Sequence, residues 1–390
     1  MAEWYDIWFS SILNLTPTKK REIVANVGSA KIFYEMQSEE RESLKKKILL
    51  PDKEIEYTEP LLTKKQLLAC ERATAQGEAY FLRMQERMYR NGIWFVTEQD
   101  ASYPDRLRNI ADRPYGLFIK GTLREDLLCV AIVGTRACSS YGGFMARQFG
   151  ERLGAAGVCI VSGLAKGIDS IAQEAALQTG AWVLGVLGCG VDVCYPRENT
   201  NLYERISRQG ALISEYIPGT QPHSLFFPAR NRMISGLADC VLVVEAKEKS
   251  GSLITGDCAL EQGKDLYAVP GRLTDSCSAG CNYLIKQGAG IVLSPEDLLE
   301  ELLLQHRNRI VAKQAKGQAA METKYFTDAE KAAFSVLDFY PQSLEALEQA
   351  LSGVYTLTLP ELLNCLMKLS FAGKVEQIGG NYYCKKVNAL

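Results

Sequence analysis

Two short turns carry the residues with the plainest chemical purpose. Gly134-Thr135-Arg136 follows the apolar run Val130-Ala131-Ile132-Val133, and Ser162-Gly163 with Lys166-Gly167 follows Ile160-Val161. Such runs are expected of parallel strands buried on both faces. In each turn a glycine lets the backbone bend sharply and a helix begins, so backbone N–H groups gather where an anion is favoured. Arg136 and Lys166 add a full positive charge to each turn. Gly188-Cys189-Gly190 and Ser250-Gly251-Ser252 are two more strand-to-helix turns of the same kind. Phe227-Pro228-Ala229-Arg230-Asn231-Arg232 adds cations and an amide ahead of a helix at 233–237 and a further strand. One such turn can be ordinary loop chemistry. A set of them at the carboxyl ends of parallel strands reads as a phosphate-binding crevice, at the edge where open α/β sheets take ligands.

A sheet must hold those turns. From Gly92 onward, strands are predicted at 93–96, 116–119, 129–133, 158–162, 182–187, 211–214, 240–245, 265–269 and 290–293, most of them separated by helical patterns. That alternation means βαβ units and a parallel sheet covered on both faces. An extended Rossmann-like domain is expected over 91–305, closing with a helix from Pro295 to Gln305. Residues 1–90 read as helical, with Trp4, Ile7, Trp8 and Ile12 in helix period, further helices at 18–27, 29–36 and 63–90, and an N-cap at Thr16 or Thr18. Such short helices form either a SAM-like bundle that touches DNA or protein, or a packing module with no ligand. The charge runs Lys19-Lys20-Arg21 and Lys45-Lys46-Lys47 read as solvated faces. Residues 306–324 are polar and rich in Ala, Gln and Lys, the composition of a linker. Over 325–390, helices at 327–338 and 343–351 precede a third that opens at Leu359-Pro360 and turns Leu362, Leu363, Leu366 and Leu369 to one face. A hairpin through Gly379-Gly380 follows. Three helices and a hairpin make a winged-helix-like pattern. Its third helix holds a single base, Lys368, which favours a protein-contacting or structural role over duplex recognition.

Composition narrows the chemistry. With 390 residues and a net charge of −2, the chain holds two or three domains, and any polyanion site must be a local patch. The first residues carry acids where a secretory leader needs bases, and no apolar run reaches the roughly 20 residues of a membrane span, so a cytoplasmic protein without a membrane partner is expected. Most of the 12 cysteines fall inside predicted elements, where they act as small hydrophobes in a reduced compartment, and two histidines, His223 and His306, make a metal site improbable. No G-x-G-x-x-G is complete after the first strand, Val193 breaks the partial match at Gly188, and neither a P-loop nor a G-x-S-x-G elbow occurs. His223 reads as a surface or hinge residue.

The segments IVGTRACSSYG, SGLAKGIDSIAQEAAL, VLGCGVDVCYPRENTNLY, GALISEY, FPARNRMISGLADCVLVVEA, SGSLITGDCALEQGKDLYAVPG and GCNYLIKQGA, taken in order, resemble the DNA-processing protein A (DprA/Smf) family over about 90–300. The helical N-terminus and the C-terminal tail agree with the long form of that family. The resemblance implies a Rossmann-like domain that binds single-stranded DNA, a homodimer, and loading of the RecA recombinase onto incoming strands during natural transformation, with no cofactor and no catalysis. Carried over by position, it implies phosphate contacts from Gly134, Thr135, Arg136, Ser162, Gly163, Lys166, Gly167, Asn231, Arg232, Ser250, Gly251 and Ser252. Thr135 stands where the family often has Ser, which keeps the hydroxyl. Lys166 stands where Arg is frequent, which keeps the charge but loses bidentate geometry, and Gln173 stands where His is usual.

Two readings follow. Several separate cationic turns suit successive phosphates of one strand, with Tyr141, Tyr195, Phe226 and Phe227 available either for base stacking or for the core. The alternative is a nucleotide-binding sensor or nucleotide-processing enzyme, which needs a catalytic acid; Asp169, Asp192, Glu215 and Glu245 are the candidates, with helix capping and ion pairing as their structural roles. Arg230 and Arg232 are either ligand contacts or ion-pair partners of Glu245 or Asp239.

Overall fold

The computed structural model describes residues 3–49, 56–304, 327–338, 341–352, 355, 357–372, 374–378 and 380–385. Internal contacts divide the chain into two units, Met1–Pro295 and Glu296–Leu390. The linker predicted at 306–324 lies outside the described residues.

The first unit is built on a nine-stranded sheet. Its strands are β3 (Ile93–Thr97), β4 (Gly116–Gly121), β5 (Cys129–Gly134), β6 (Cys159–Ser162), β7 (Val183–Val186), β8 (Gly210–Ser214), β9 (Cys240–Glu245), β10 (Asp265–Ala268) and β11 (Gly290–Ile291). The spatial order is β11-β10-β9-β5-β6-β7-β8-β4-β3. From β11 to β8 every pairing is parallel, whereas β4 runs antiparallel to β8 and β3 antiparallel to β4. Strand order reverses between β5 and β9: the chain leaves β5 toward β8 on one side and resumes with β9 on the other. Val130, Ala131, Ile132, Val161, Val241, Leu242 and Val243 are all fully buried, the signature of a sheet covered on both faces.

The helices flanking β6 explain how two turns meet. Helix Ser140–Ala155 begins at Ser139, whose hydroxyl accepts from the Gly142 amide, and helix Ile168–Gln178 begins at Gly167. They pack close because the first carries glycines on the shared face. A Cβ at Gly150 would lie 2.3 Å from the Ala172 carbonyl oxygen, and one at Gly154 would lie 2.7 Å from the Thr179 hydroxyl.

The N-terminal residues belong to the same unit and depart from the all-helical expectation. Lys45–Leu49 (β1) and Glu56–Pro60 (β2) form an antiparallel pair, so the segment that opens with the lysine run is a strand within a region expected to be helical. The helix expected over 63–90 is two, Lys64–Thr74 and Glu78–Arg90, parted at Gly77, whose φ of +75° breaks the helix. Thr16, not Thr18, caps helix Pro17–Val27. Trp8, Phe9 and Phe33 are fully buried here. The Arg21 guanidinium donates to the Arg113 and Ala111 carbonyls, and Tyr115 donates to Asp6 at 2.6 Å, which ties the helices to the segment before β4.

In the second unit residues 296–304 are helical. Helices Asp328–Val336, Leu344–Leu351 and Leu359–Phe371 then enclose a small core with Leu362, Leu366 and Leu369 inside it. β12 (Gln342–Ser343), β13 (Val375–Gln377) and β14 (Tyr382–Lys385) form an antiparallel sheet in the order β12-β14-β13. No described helix is long and apolar enough to cross a membrane.

Candidate nucleic-acid interface

The turns after β9, β5, β6 and β7 follow one another along a single edge, because these strands are neighbours and parallel. At Gly167 two of them touch. Its φ is +79°, and a Cβ there would lie 2.4 Å from the Thr135 carbonyl oxygen and 2.7 Å from that of Arg136. Gly134 is closed in the same way, since a Cβ would lie 2.6 Å from Ile168. The two glycines therefore let the Arg136 turn and the Lys166 turn lie side by side.

Helix Phe226–Leu237 runs beneath them and starts seven residues earlier than its sequence pattern suggested. Phe227, Arg230 and Asn231 are spaced i, i+3, i+4 and share one face. Arg136, Lys166, Tyr195, Phe227 and Arg230 line one depression. The Arg136 guanidinium lies 5.4 Å from the centre of the Phe227 ring, and Tyr195 stacks on that ring at 5.5 Å with a 26° tilt. Arg136 and Lys166 are exposed, and Tyr195 is 40 % exposed. The Lys166 ammonium meets Glu198 at 2.5 Å, a solvent-facing pair. Arg230 forms the buried floor, donating to the carbonyls of Gly163 and Val186, while its Nε has no partner among the described residues. Burial pushes the Arg230 guanidinium below its usual value and the Asp169 carboxyl above its own, each partly opposed by the other's charge.

The remaining candidates divide into rim and interior. Ser250 and the exposed Gly251 open helix Gly251–Glu261, and the Asn231 amide donates to the Gly251 carbonyl, tying that turn to helix Phe226–Leu237. Lys247 and Lys249 are exposed just before it. Ser162 is fully buried and donates to the Ile132 carbonyl at 2.6 Å. Ser252 is buried and shares a hydrogen bond with the Ser250 hydroxyl. Arg232 departs most from expectation. It is buried and grips Glu215 with two bonds, at 3.1 and 2.7 Å, and Asp112 at 2.9 Å. Neither Glu245 nor Asp239 is its partner; Asp239 pairs with Arg106 at 2.9 Å. Two residues apart on a helix, Arg230 and Arg232 point about 200° apart, so a sequence reading had a signal that they could not share one role.

The turn amides were expected to await an anion, and the protein supplies its own. The Glu245 carboxylate is buried at the start of helix Ser140–Ala155, accepting from the Ser139 amide at 2.8 Å and from its hydroxyl at 2.5 Å. A Cβ on Gly142 would lie 2.4 Å from that carboxylate. Asp169 accepts from the Gly163 amide at 3.1 Å, and Asp192 from the Gly219 amide at 2.6 Å. All four candidate acids are thus engaged in structural contacts. Gln173 is fully buried, its amide donating to the Leu184 carbonyl, a packing role. Of the four aromatics, Tyr195 and Phe227 border the depression, Phe226 stacks on buried Tyr216 at 4.3 Å, and the Tyr141 hydroxyl donates to the Pro270 carbonyl.

Comparison with known proteins adds to this geometry. A sequence model of the family described as DNA recombination-mediator protein A matches residues 94–303. The chain is 48% identical to DNA processing protein DprA of Streptococcus pneumoniae over 205 residues, 52% of this chain and 72% of that protein. It is 38% identical to Protein Smf of Escherichia coli over 288 residues, 72% of this chain and 74% of that protein. Among solved structures, DNA processing protein A from Streptococcus pneumoniae superposes with a TM-score of 0.62 at 33% identity, covering 77% of this chain and 98% of that one. DNA processing protein A from Helicobacter pylori, described for its single-stranded DNA binding mode, superposes with a TM-score of 0.50 at 31% identity, covering 54% of this chain and 96% of that one.

Proposed function

This chain belongs to the DNA recombination-mediator protein A family, and from that premise we propose that it binds single-stranded DNA along the carboxyl edge of β9, β5, β6 and β7 without cleaving it. The observation that carries the reading is the abutment at Gly167. It sets two exposed cations, Arg136 and Lys166, beside the Tyr195–Phe227 ring pair on one rim. Cations track the phosphates, and a stacked pair of rings gives an unpaired base a platform worth about 1–3 kcal/mol. In this reading Arg136, Lys166, Gly134, Thr135, Gly167, Ser250 and Gly251 form the contact edge. Ser162, Gly163, Asn231, Arg232 and Ser252 hold its shape from inside.

The protein then acts as a recombination mediator, covering incoming strands and handing them to the RecA recombinase during natural transformation in the cytoplasm. A homodimer would double the number of phosphates engaged, which a chain of net charge −2 needs to hold a strand firmly. The helices at 4–43 and 64–90 serve as a SAM-like module. The three helices and antiparallel sheet of the second unit serve as a winged-helix-like module that contacts protein rather than duplex DNA. Titrating single- and double-stranded oligonucleotides at two salt concentrations, with mass read by light scattering, tests the reading. Preferential, salt-sensitive capture of the single strand by a dimer is expected, and equal affinity for both forms refutes it.

The nucleotide-enzyme alternative meets a specific obstacle. Glu245 fills the helix N-terminus beside the point where strand order reverses, the position in which an open α/β sheet holds a nucleotide phosphate.

A further inference from the structure

The N-terminal helices wall a groove that shares no lining residue with the DNA edge. On helix Lys64–Thr74, Lys65, Leu68, Ala69 and Arg72 fall at i, i+3, i+4 and i+7, stacked along one face. Opposite them stand Leu13, just past helix Trp4–Ser11, and Ile217, beyond β8, and together they enclose about 480 Å³. Leu13 is 50 % and Leu68 46 % exposed, while Phe81, also in the lining, is fully buried. The two exposed leucines face one groove and offer apolar side chains of a bound segment a place to seat. Lys65 and Arg72 are exposed, and among the described residues no ion pair engages either one. None of the described lining residues is acidic.

We infer that this groove docks a short acidic segment of a partner protein, its apolar side chains against Leu13 and Leu68 and its carboxylates against Lys65 and Arg72. Charge complementarity selects the occupant: an aliphatic trough edged by two exposed cations recognises apolar anchors next to acids. A nucleic acid would need exposed rings for its bases, and the one ring here is buried. A second copy using the same face would bring Lys65 and Arg72 against their own equivalents, like charge against like. This groove would let the protein hold a protein partner while the sheet edge holds the strand.

The test uses the full-length protein and a fluorescein-labelled peptide, Asp-Glu-Asp-Leu-Phe-Leu, read by anisotropy. The parent is expected to bind it, and Arg72→Glu and Leu68→Ser each to weaken it by about tenfold or more. The double variant Lys65→Glu/Arg72→Glu should instead take Lys-Lys-Lys-Leu-Phe-Leu. Arg136→Ala should bind the acidic peptide like the parent, which separates this groove from the DNA edge. Hydrogen exchange on the parent, with slower exchange over 64–74 when the peptide is present, supports the proposal without any variant. Unchanged peptide affinity in both groove variants overturns it. So does loss of oligonucleotide binding in Arg72→Glu, or a fall in mass by light scattering in that variant.

Discussion

Removing the two rim cations should change how binding responds to salt, and the structure sets the size of the change. Four exposed cations stand at the turns after β9, β5 and β6: Lys247, Lys249, Arg136 and Lys166. If each neutralises one phosphate of a single strand, the log–log slope of affinity against salt is about −0.7 per cation, or about −2.8 in all. Raising salt from about 50 to about 200 mM then weakens the parent by about 50-fold. The double variant Arg136→Ala/Lys166→Ala keeps two cations and a slope of about −1.4, so the same step costs it about sevenfold. The two positions should differ at low salt. Lys166 must leave Glu198, 2.5 Å away, before it can meet a phosphate, whereas Arg136 gives up only the face of a ring. Arg136→Ala should therefore lose more affinity than Lys166→Ala, and Glu198→Gln should gain about twofold to fivefold, the worth of a surface pair. Fluorescence anisotropy on a labelled oligothymidine at four salt concentrations measures all of these. Loss of affinity with the parent's slope intact would mean that the variants disturbed the fold or the rings, and the phosphate-tracking argument would fail.

Three further outcomes follow from the interior. Arg232→Ala leaves the largely buried Glu215 side chain, 14% exposed, without its bidentate partner, and should lower stability by about 3–5 kcal/mol in a urea titration while leaving the DNA salt slope unchanged; a changed slope with unaltered stability would make Arg232 a DNA contact instead. Burial pushes the Lys20 ammonium down to about 8, below its unfolded value of 10.5, so between those values the unfolded chain holds the proton that the fold has released, and stability attributable to this group rises with pH from about 8 to about 10.5. Lys20→Met lacks that rise, so the urea midpoint of the parent should gain on that of the variant between about pH 7.5 and about pH 9.5, and a constant difference refutes the assignment. Glu245→Ala removes the carboxylate that the Ser139 amide and hydroxyl hold, so inorganic phosphate should raise the melting temperature of the variant more than that of the parent; equal rises would deny that the helix start is an anion site.

What the sequence disclosed, and what it hid, divides along physical lines. β5, β6 and β9 were legible because strands buried on both faces must be continuously apolar, and Val130–Val133 and Val241–Val244 are. The antiparallel attachment of β3 and β4 was not legible, since periodicity reports burial and is silent on direction. β1 was hidden by its own lysines: Lys45-Lys46-Lys47 has no apolar alternation to announce a strand. The break at Gly77 was hidden because a lone glycine within a helical pattern is usually tolerated. At the candidate site, Arg136 and Lys166 stand exposed on the turns where the sequence put them. Burial could not be read. Ser162 and Arg232 are of the types that contact phosphate, and only the fold shows their groups spent on Ile132, Glu215 and Asp112. Arg230, which the sequence left open between a ligand contact and an ion pair, lies at the floor of the depression.

The anions built into the fold explain why the same sheet edge that elsewhere holds one nucleotide would here hold a strand. A mononucleotide site gathers its affinity at one helix start, from amides converging on one phosphate. In this chain Glu245 fills the start of helix Ser140–Ala155 and Asp169 takes the Gly163 amide, so the strongest single-phosphate positions are already occupied. Long, exposed side chains remain, spread over the turns of three adjacent strands. At about 4.8 Å between strands, those turns span about 10 Å, too far apart to converge on one phosphate and well placed for several in succession. Each such contact is weak and screened by salt. Only a ligand that repeats its charge can add them up, so the loss of a strong point site is itself what selects for a polymer.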